Sequence, residues 1–131
     1  MNKATFEELL ARREQREEDR LKLGSIRIPG TDTYLEARMP GKAVILDLYG
    51  ELAAASDAKT ALECGRHALY DCCPQLQDPA LQEQLGTKAD PMSTLDALFS
   101  VGELDSLGTQ ALTFVGLIPA DAGSPDKTVK N

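Results

Sequence analysis

Cys64, His67, Cys72 and Cys73 are the residues whose types could do chemistry within one short stretch of this chain. Thiolates and an imidazole can ligate zinc, and a histidine beside a cysteine can activate it as a nucleophile. Their spacing argues against both. On a single helix at about 100° per residue, taking Cys64 as zero, His67 falls near −60°, Cys72 near +80° and Cys73 near 180°, so the side chains do not converge. A tetrahedral zinc site usually draws two ligands from each of two elements, and no second Cys/His cluster exists. Small buried cysteines are the plainer reading. The carboxylates are scattered and match no glycosidase or protease motif. A phosphate-cradling loop, a dinucleotide fingerprint and a Gly-x-Ser-x-Gly elbow are all missing. With one His and no Trp in 131 residues, the sequence predicts no catalytic residue, no metal and no cofactor, and a protein that binds rather than one that transforms.

The elements that position these residues follow from pattern and punctuation. Thr5 with Glu8 reads as a capping box opening a helix that runs to Leu23 and stops at Gly24. Phe6, Leu9 and Leu10 give it a short apolar patch. Its continuation, Arg12 to Arg20, holds four basic and four acidic residues with no apolar stripe, which predicts a solvated helix projecting from the body, with a contact arm for a partner as the alternative. Arg13 and Glu17, four apart, suit an ion pair worth a few tenths of a kcal/mol. The period then changes to alternation in Ser25–Ile28 and Thr33–Arg38, around the turn cluster Pro29-Gly30-Thr31-Asp32, which predicts a β-hairpin. Beyond Pro40-Gly41, Val44, Ile45, Leu48, Tyr49 and Leu52 recur at helical spacing. Ser56-Asp57 caps a further helix ending before Pro74. Asp78-Pro79 and Asp90-Pro91 each place a carboxylate before a proline suited to the first helical position, the first helix closing near Gly86. Leu104, Leu107, Ala111, Leu112 and Val115 mark a last helix to about Leu117, in which Gly108 suggests close packing against a neighbour.

The predicted architecture is mainly α (α+β): a bundle of about five helices with a small β-hairpin after the charged N-terminal helix. Residues 4–23 are the charged helix, 25–39 the hairpin and 41–118 the helical body of one domain spanning 1–118, with 119–131 a disordered tail. Hydrophobic residues make up 42% and aromatics 5%, so aliphatic side chains fill the core and aromatic stacking platforms are not favoured. The first residues do not read as an export leader and nowhere do about 18 apolar residues run together, so an unexported protein that does not span a membrane is expected. The odd cysteine count and the adjacent Cys72-Cys73 suit a reducing cytoplasm.

Charge narrows the partner. The net charge is −7, with nine basic and eight acidic side chains in residues 1–42 against five and thirteen in residues 43–131. An acidic body repels phosphate backbones and anionic headgroups, so neither nucleic acid nor a membrane is expected as partner. A protein with basic or amphipathic segments fits better, and a projecting charged helix can pair with its own copy to give a homo-oligomer.

The order of segments carries a resemblance. Phe6-Glu7-Glu8-Leu9-Leu10-Ala11-Arg12-Arg13-Glu14-Gln15-Arg16 is followed by Asp19-Arg20-Leu21-Lys22 and by the strand and turn Ile26-Arg27-Ile28-Pro29-Gly30. Then come Leu69-Tyr70-Asp71-Cys72-Cys73-Pro74, Asp78-Pro79-Ala80-Leu81-Gln82-Glu83, Leu98-Phe99 and Gly102-Glu103-Leu104. Across roughly residues 4–118 the chain resembles the XkdN-like tail assembly chaperones of contractile-tailed phages and prophages. The resemblance implies a protein of the bacterial host cytoplasm that binds the tape measure protein and keeps that long helical chain soluble until the tail tube polymerises around it. In many such operons a ribosomal frameshift adds a C-terminal domain that recruits tail tube subunits.

A long partner with an apolar seam needs temporary cover, which a helical surface can offer. Leu98, Phe99, Leu104, Leu107 and Phe114, on the last two helices, are the candidate contacts, weighed against the plain alternative that helical-period apolar residues are core. A minor structural part of the tail and a generic intracellular protein-binding adaptor are the competing functions.

Overall fold

The computed structural model describes residues 2–120. Six α-helices and one hairpin follow in order: α1 (Phe6–Arg20), β1 (Leu23–Arg27), β2 (Tyr34–Arg38), α2 (Lys42–Ala54), α3 (Ala58–Cys72), α4 (Pro79–Leu85), α5 (Ser93–Leu98) and α6 (Val101–Phe114), with a 3-10 turn, Pro74–Gln77, between α3 and α4. The mainly helical class with a hairpin behind the first helix is as the sequence predicts. No helix among the described residues is long and apolar enough to cross a membrane.

Caps set most of the boundaries. Thr5 and Glu8 form the expected capping box of α1, with both reciprocal bonds made. The Thr5 amide, donating to the Glu8 carboxylate, and then the Thr5 hydroxyl hold that carboxyl below its ordinary range. Asp57 does the same with Thr60 at the start of α3, and Asp78 accepts from the Ala80 amide to start α4. That helix closes on Gly86 at φ +72°, the left-handed geometry that favours glycine. Asp90 departs from expectation: its carboxylate caps nothing, and its carbonyl accepts from the Ser93 amide and hydroxyl in a tight turn leading into α5. A capping box of Ser100 with Glu103 starts α6 at Val101, three residues before the first apolar residue of its predicted face.

The hairpin pairs Leu23 with Arg38 through Arg27 with Tyr34, antiparallel. Ile28 accepts from the Thr31 amide, with Pro29 and Gly30 (φ +76°) at the centre, as a type II turn requires. Gly24 does not stop α1, which ends at Arg20 with Leu21 as its cap. It lies in β1, where an added Cβ would sit 2.6 Å from the Phe114 ring. Both sheet edges are met by glutamines. The Gln110 side chain accepts from the Arg27 amide at 2.8 Å and donates to the Arg27 carbonyl at 2.9 Å, while Gln75 accepts from the Glu36 amide at 2.9 Å.

The core runs along α3 and α6. Cys64, Gly65, Ala68, Leu69 and Cys72 of α3 face Leu104, Leu107, Gly108, Ala111 and Leu112 of α6, and Ile26, Leu35 and Ala37 cover one end of that layer. The two helices touch backbone to backbone: a Cβ on Gly108 would lie 2.8 Å from the Gly65 Cα. This is the close packing that Gly108 suggested. A buried polar cluster ties α4 to its neighbours, with Thr87 and Thr94 hydroxyls 2.7 Å apart and the Gln82 amide donating to the Tyr70 hydroxyl and the Leu76 carbonyl, both at 3.0 Å. Arg66 of α3 clamps α5 through Asp96 at 2.8 Å and the Met92 carbonyl at 3.3 Å.

By contrast, α1 has no buried residue at all. Its ion pairs are Arg16 with Asp19 and Arg20 with Glu17, three apart, in place of the expected pair at four. The expected tail, 119–131, lies outside the described residues from position 121 onward.

Candidate functional site

The stretch that could do chemistry is dispersed by the fold. Cys64 and Cys72 point from α3 into the core, and Cys73 is also buried, in extended backbone just past the helix end. Burial, with Glu51 second, pushes the Cys64 thiol up to about 11, and burial first of all pushes Cys72 and Cys73 up to about 12. The Cys64 Sγ meets the Leu48 carbonyl at 3.5 Å. Thiols so held are protonated at neutral pH.

His67 faces outward, half-buried between α2 and α3, with Nδ1 2.8 and 2.9 Å from the two Glu51 carboxylate oxygens. Nearby, Asp71 is raised above the ordinary carboxylate range: desolvation raises it most, and Glu51 and Asp47 add to this against the opposing pull of His67. Among the described residues no three His, Cys, Asp or Glu side chains are grouped to hold a metal ion.

The five predicted contact residues divide. Leu104 and Leu107 are core, 2% and 0% exposed, and cannot meet a partner without parting α6 from α3. Phe99 is half-buried against the core where α5 ends. Phe114 is half-buried as well, its ring over Gly24 and 5.6 Å from the Lys22 ammonium, within cation–π range. Leu98 is open. Three residues further on, Val101 is 69% exposed at the start of α6, and Leu46 and Tyr49 are open on α2. Spacing reasoning passed over Val101 because the Ser100–Gly102 stretch reads as a break; the Ser100/Glu103 capping box was the available signal.

One concavity collects much of what remains. A groove of about 700 Å³ runs between the last turn of α1, the β2–α2 link and the end of α6. Its apolar lining includes Met39, Ile45, Leu46, Phe114 and Val115. Around that lining stand Arg16, Arg20, Lys22 and Lys42, with Asp19 the one acidic residue. On a chain of net charge −7 this is an inverted local field.

Compared with protein family models, with curated proteins and with solved structures, the chain finds no match. The class that fold and site define is a mainly helical protein with an antiparallel hairpin, buried thiols and open apolar side chains on α2, α5 and α6.

Proposed function

We propose that this protein is a tail assembly chaperone of a contractile-tailed phage or prophage, acting in the bacterial host cytoplasm to hold the tape measure protein soluble until the tail tube forms around it. The resemblance in segment order is the source of the reading. The observation that supports it on the molecule is the pair of apolar side chains left open at the α5–α6 junction, Leu98 and Val101. Such a surface suits brief cover of amphipathic client helices, and the acidic body favours client segments bearing Lys or Arg.

Leu98 and Val101 are the contacts assigned to the client; Leu104 and Leu107 act beneath them by holding α6 in place. Co-expression with the tape measure protein encoded in the same gene cluster tests the reading. The expected result is a client that moves from the pellet to the soluble fraction and that returns to the pellet with Leu98→Glu/Val101→Glu. A client equally insoluble with and without this chain would overturn it.

A further inference from the structure

A helix of 15 residues with no buried side chain is marginal in water, because helices this short draw most of their stability from packing. Yet the first turns of α1 display Phe6 at 73%, Leu9 at 58% and Leu10 at 43% exposure, spaced i, i+3, i+4 as one apolar patch. Beside that patch, next to Leu10 around the helix, stands Glu7 of the acidic first turn, while Glu8 is held in the capping box with Thr5. At the far end of the same helix lies the groove, with the reverse properties: an apolar lining that includes Ile45, Leu46 and Phe114, bordered by Arg16, Arg20, Lys22 and Lys42. One end of α1 therefore carries the complement of what stands beside its other end.

We propose that two copies of this chain pair through α1, antiparallel, each placing Phe6, Leu9 and Leu10 into the groove of the other. The helix is about 22 Å long, so an antiparallel partner brings its first turn beside this chain's last turn and fills both grooves at once. By helical geometry, the centre of the apolar patch and the centre of the α1 residues of the groove lie roughly 80° apart around the axis, with Arg20 nearest the patch. Glu7 then meets the cationic border of Arg16, Arg20, Lys22 and Lys42 in both halves of a closed two-fold interface. The acidic body of each copy repels the other, so the cationic groove also selects this orientation over others and makes pairing weaken as salt rises.

The test is sedimentation equilibrium or light scattering across a concentration series. The full chain is expected to form a dimer that weakens roughly tenfold or more with Phe6→Ser/Leu9→Ser, changes at exposed positions that leave the fold in place. Charge exchange makes the test specific: Glu7→Lys alone and Arg20→Glu alone each weaken self-association, and mixing the two variants restores a heterodimer, because in the mixed pair both contacts are again between opposite charges. A chain monomeric at all concentrations overturns the proposal, as does a dimer indifferent to Phe6→Ser/Leu9→Ser or a mixture that fails to recover. Dimerisation that appears only after residues 121–131 are removed would assign the groove to that segment instead and overturn it equally.

Discussion

Replacing glycine by alanine at three helical positions should have opposite signs, and the reason is a distance. In an open helix interior the change stabilises by about 0.5–1 kcal/mol, because alanine loses less backbone entropy on folding. Gly50 of α2 has nothing within 4 Å of its added Cβ, so Gly50→Ala is expected to raise Tm by about 3 °C. At Gly108 the same Cβ would stand 2.8 Å from the Gly65 Cα and 2.9 Å from its carbonyl carbon. Those are backbone atoms, which cannot rotate away; α6 must lift from α3 along the face that buries Leu104, Leu107 and Ala111. Overpacking of this kind costs about 1–3 kcal/mol, which outweighs the helix gain of about 1 kcal/mol. A net loss of up to about 2 kcal/mol lowers Tm by up to roughly 8 °C in a domain of this size. Gly65→Ala, with 3.0 Å to the Gly108 Cα, goes the same way by a smaller amount. Thermal melts of the three variants followed by circular dichroism decide it. If Gly108→Ala melts as high as Gly50→Ala, the backbone contact does not hold the two helices together and the reasoning fails.

Other expectations follow from single contacts. Ellman's reagent at pH 8 should label none of Cys64, Cys72 and Cys73 within minutes in native protein and all three in denaturant, since each thiol is buried and titrates far above that pH; fast native labelling would contradict the burial. Gln110→Ala strips the Arg27 amide and carbonyl of their partner, and a loss of about 1–2 kcal/mol with faster hydrogen exchange at the Arg27 amide is expected. The caps carry a pH dependence. Glu8 and Asp57 titrate lower folded than unfolded, so their contribution is complete above the unfolded carboxylate range and is lost as acidification passes the folded values. Carbon chemical shifts at the start of α1 should therefore lose helical character on acidification, and Glu8→Gln should flatten that response.

Local chemistry made most of the fold legible. Thr5, Asp57, Asp78-Pro79 and Gly86 act on backbone groups within a few residues, so their meaning survives any tertiary arrangement. The apolar face of α6 was equally plain: Leu104, Leu107, Ala111, Leu112 and Val115 are all buried. What period alone does not tell is which partner covers a face. Leu104 and Leu107 read as contact candidates until α3 is seen lying on them, whereas Leu98 stays open because α5 ends there. Gly24 failed for a related reason. A glycine after a helix is usually a stop, but this one is required by the Phe114 ring, ninety residues away in sequence and unseen by any local rule. Likewise His67 finds Glu51 only because α2 and α3 pack side by side.

The two glutamines on the hairpin edges have a further consequence. A two-stranded sheet ordinarily offers unpaired amides and carbonyls on both sides, an invitation to add a strand from any extended chain nearby. Gln110 occupies one border through both Arg27 backbone groups, and Gln75 occupies the other at Glu36. Adding a strand at Arg27 or at Glu36 would first have to displace a glutamine that already holds the backbone there.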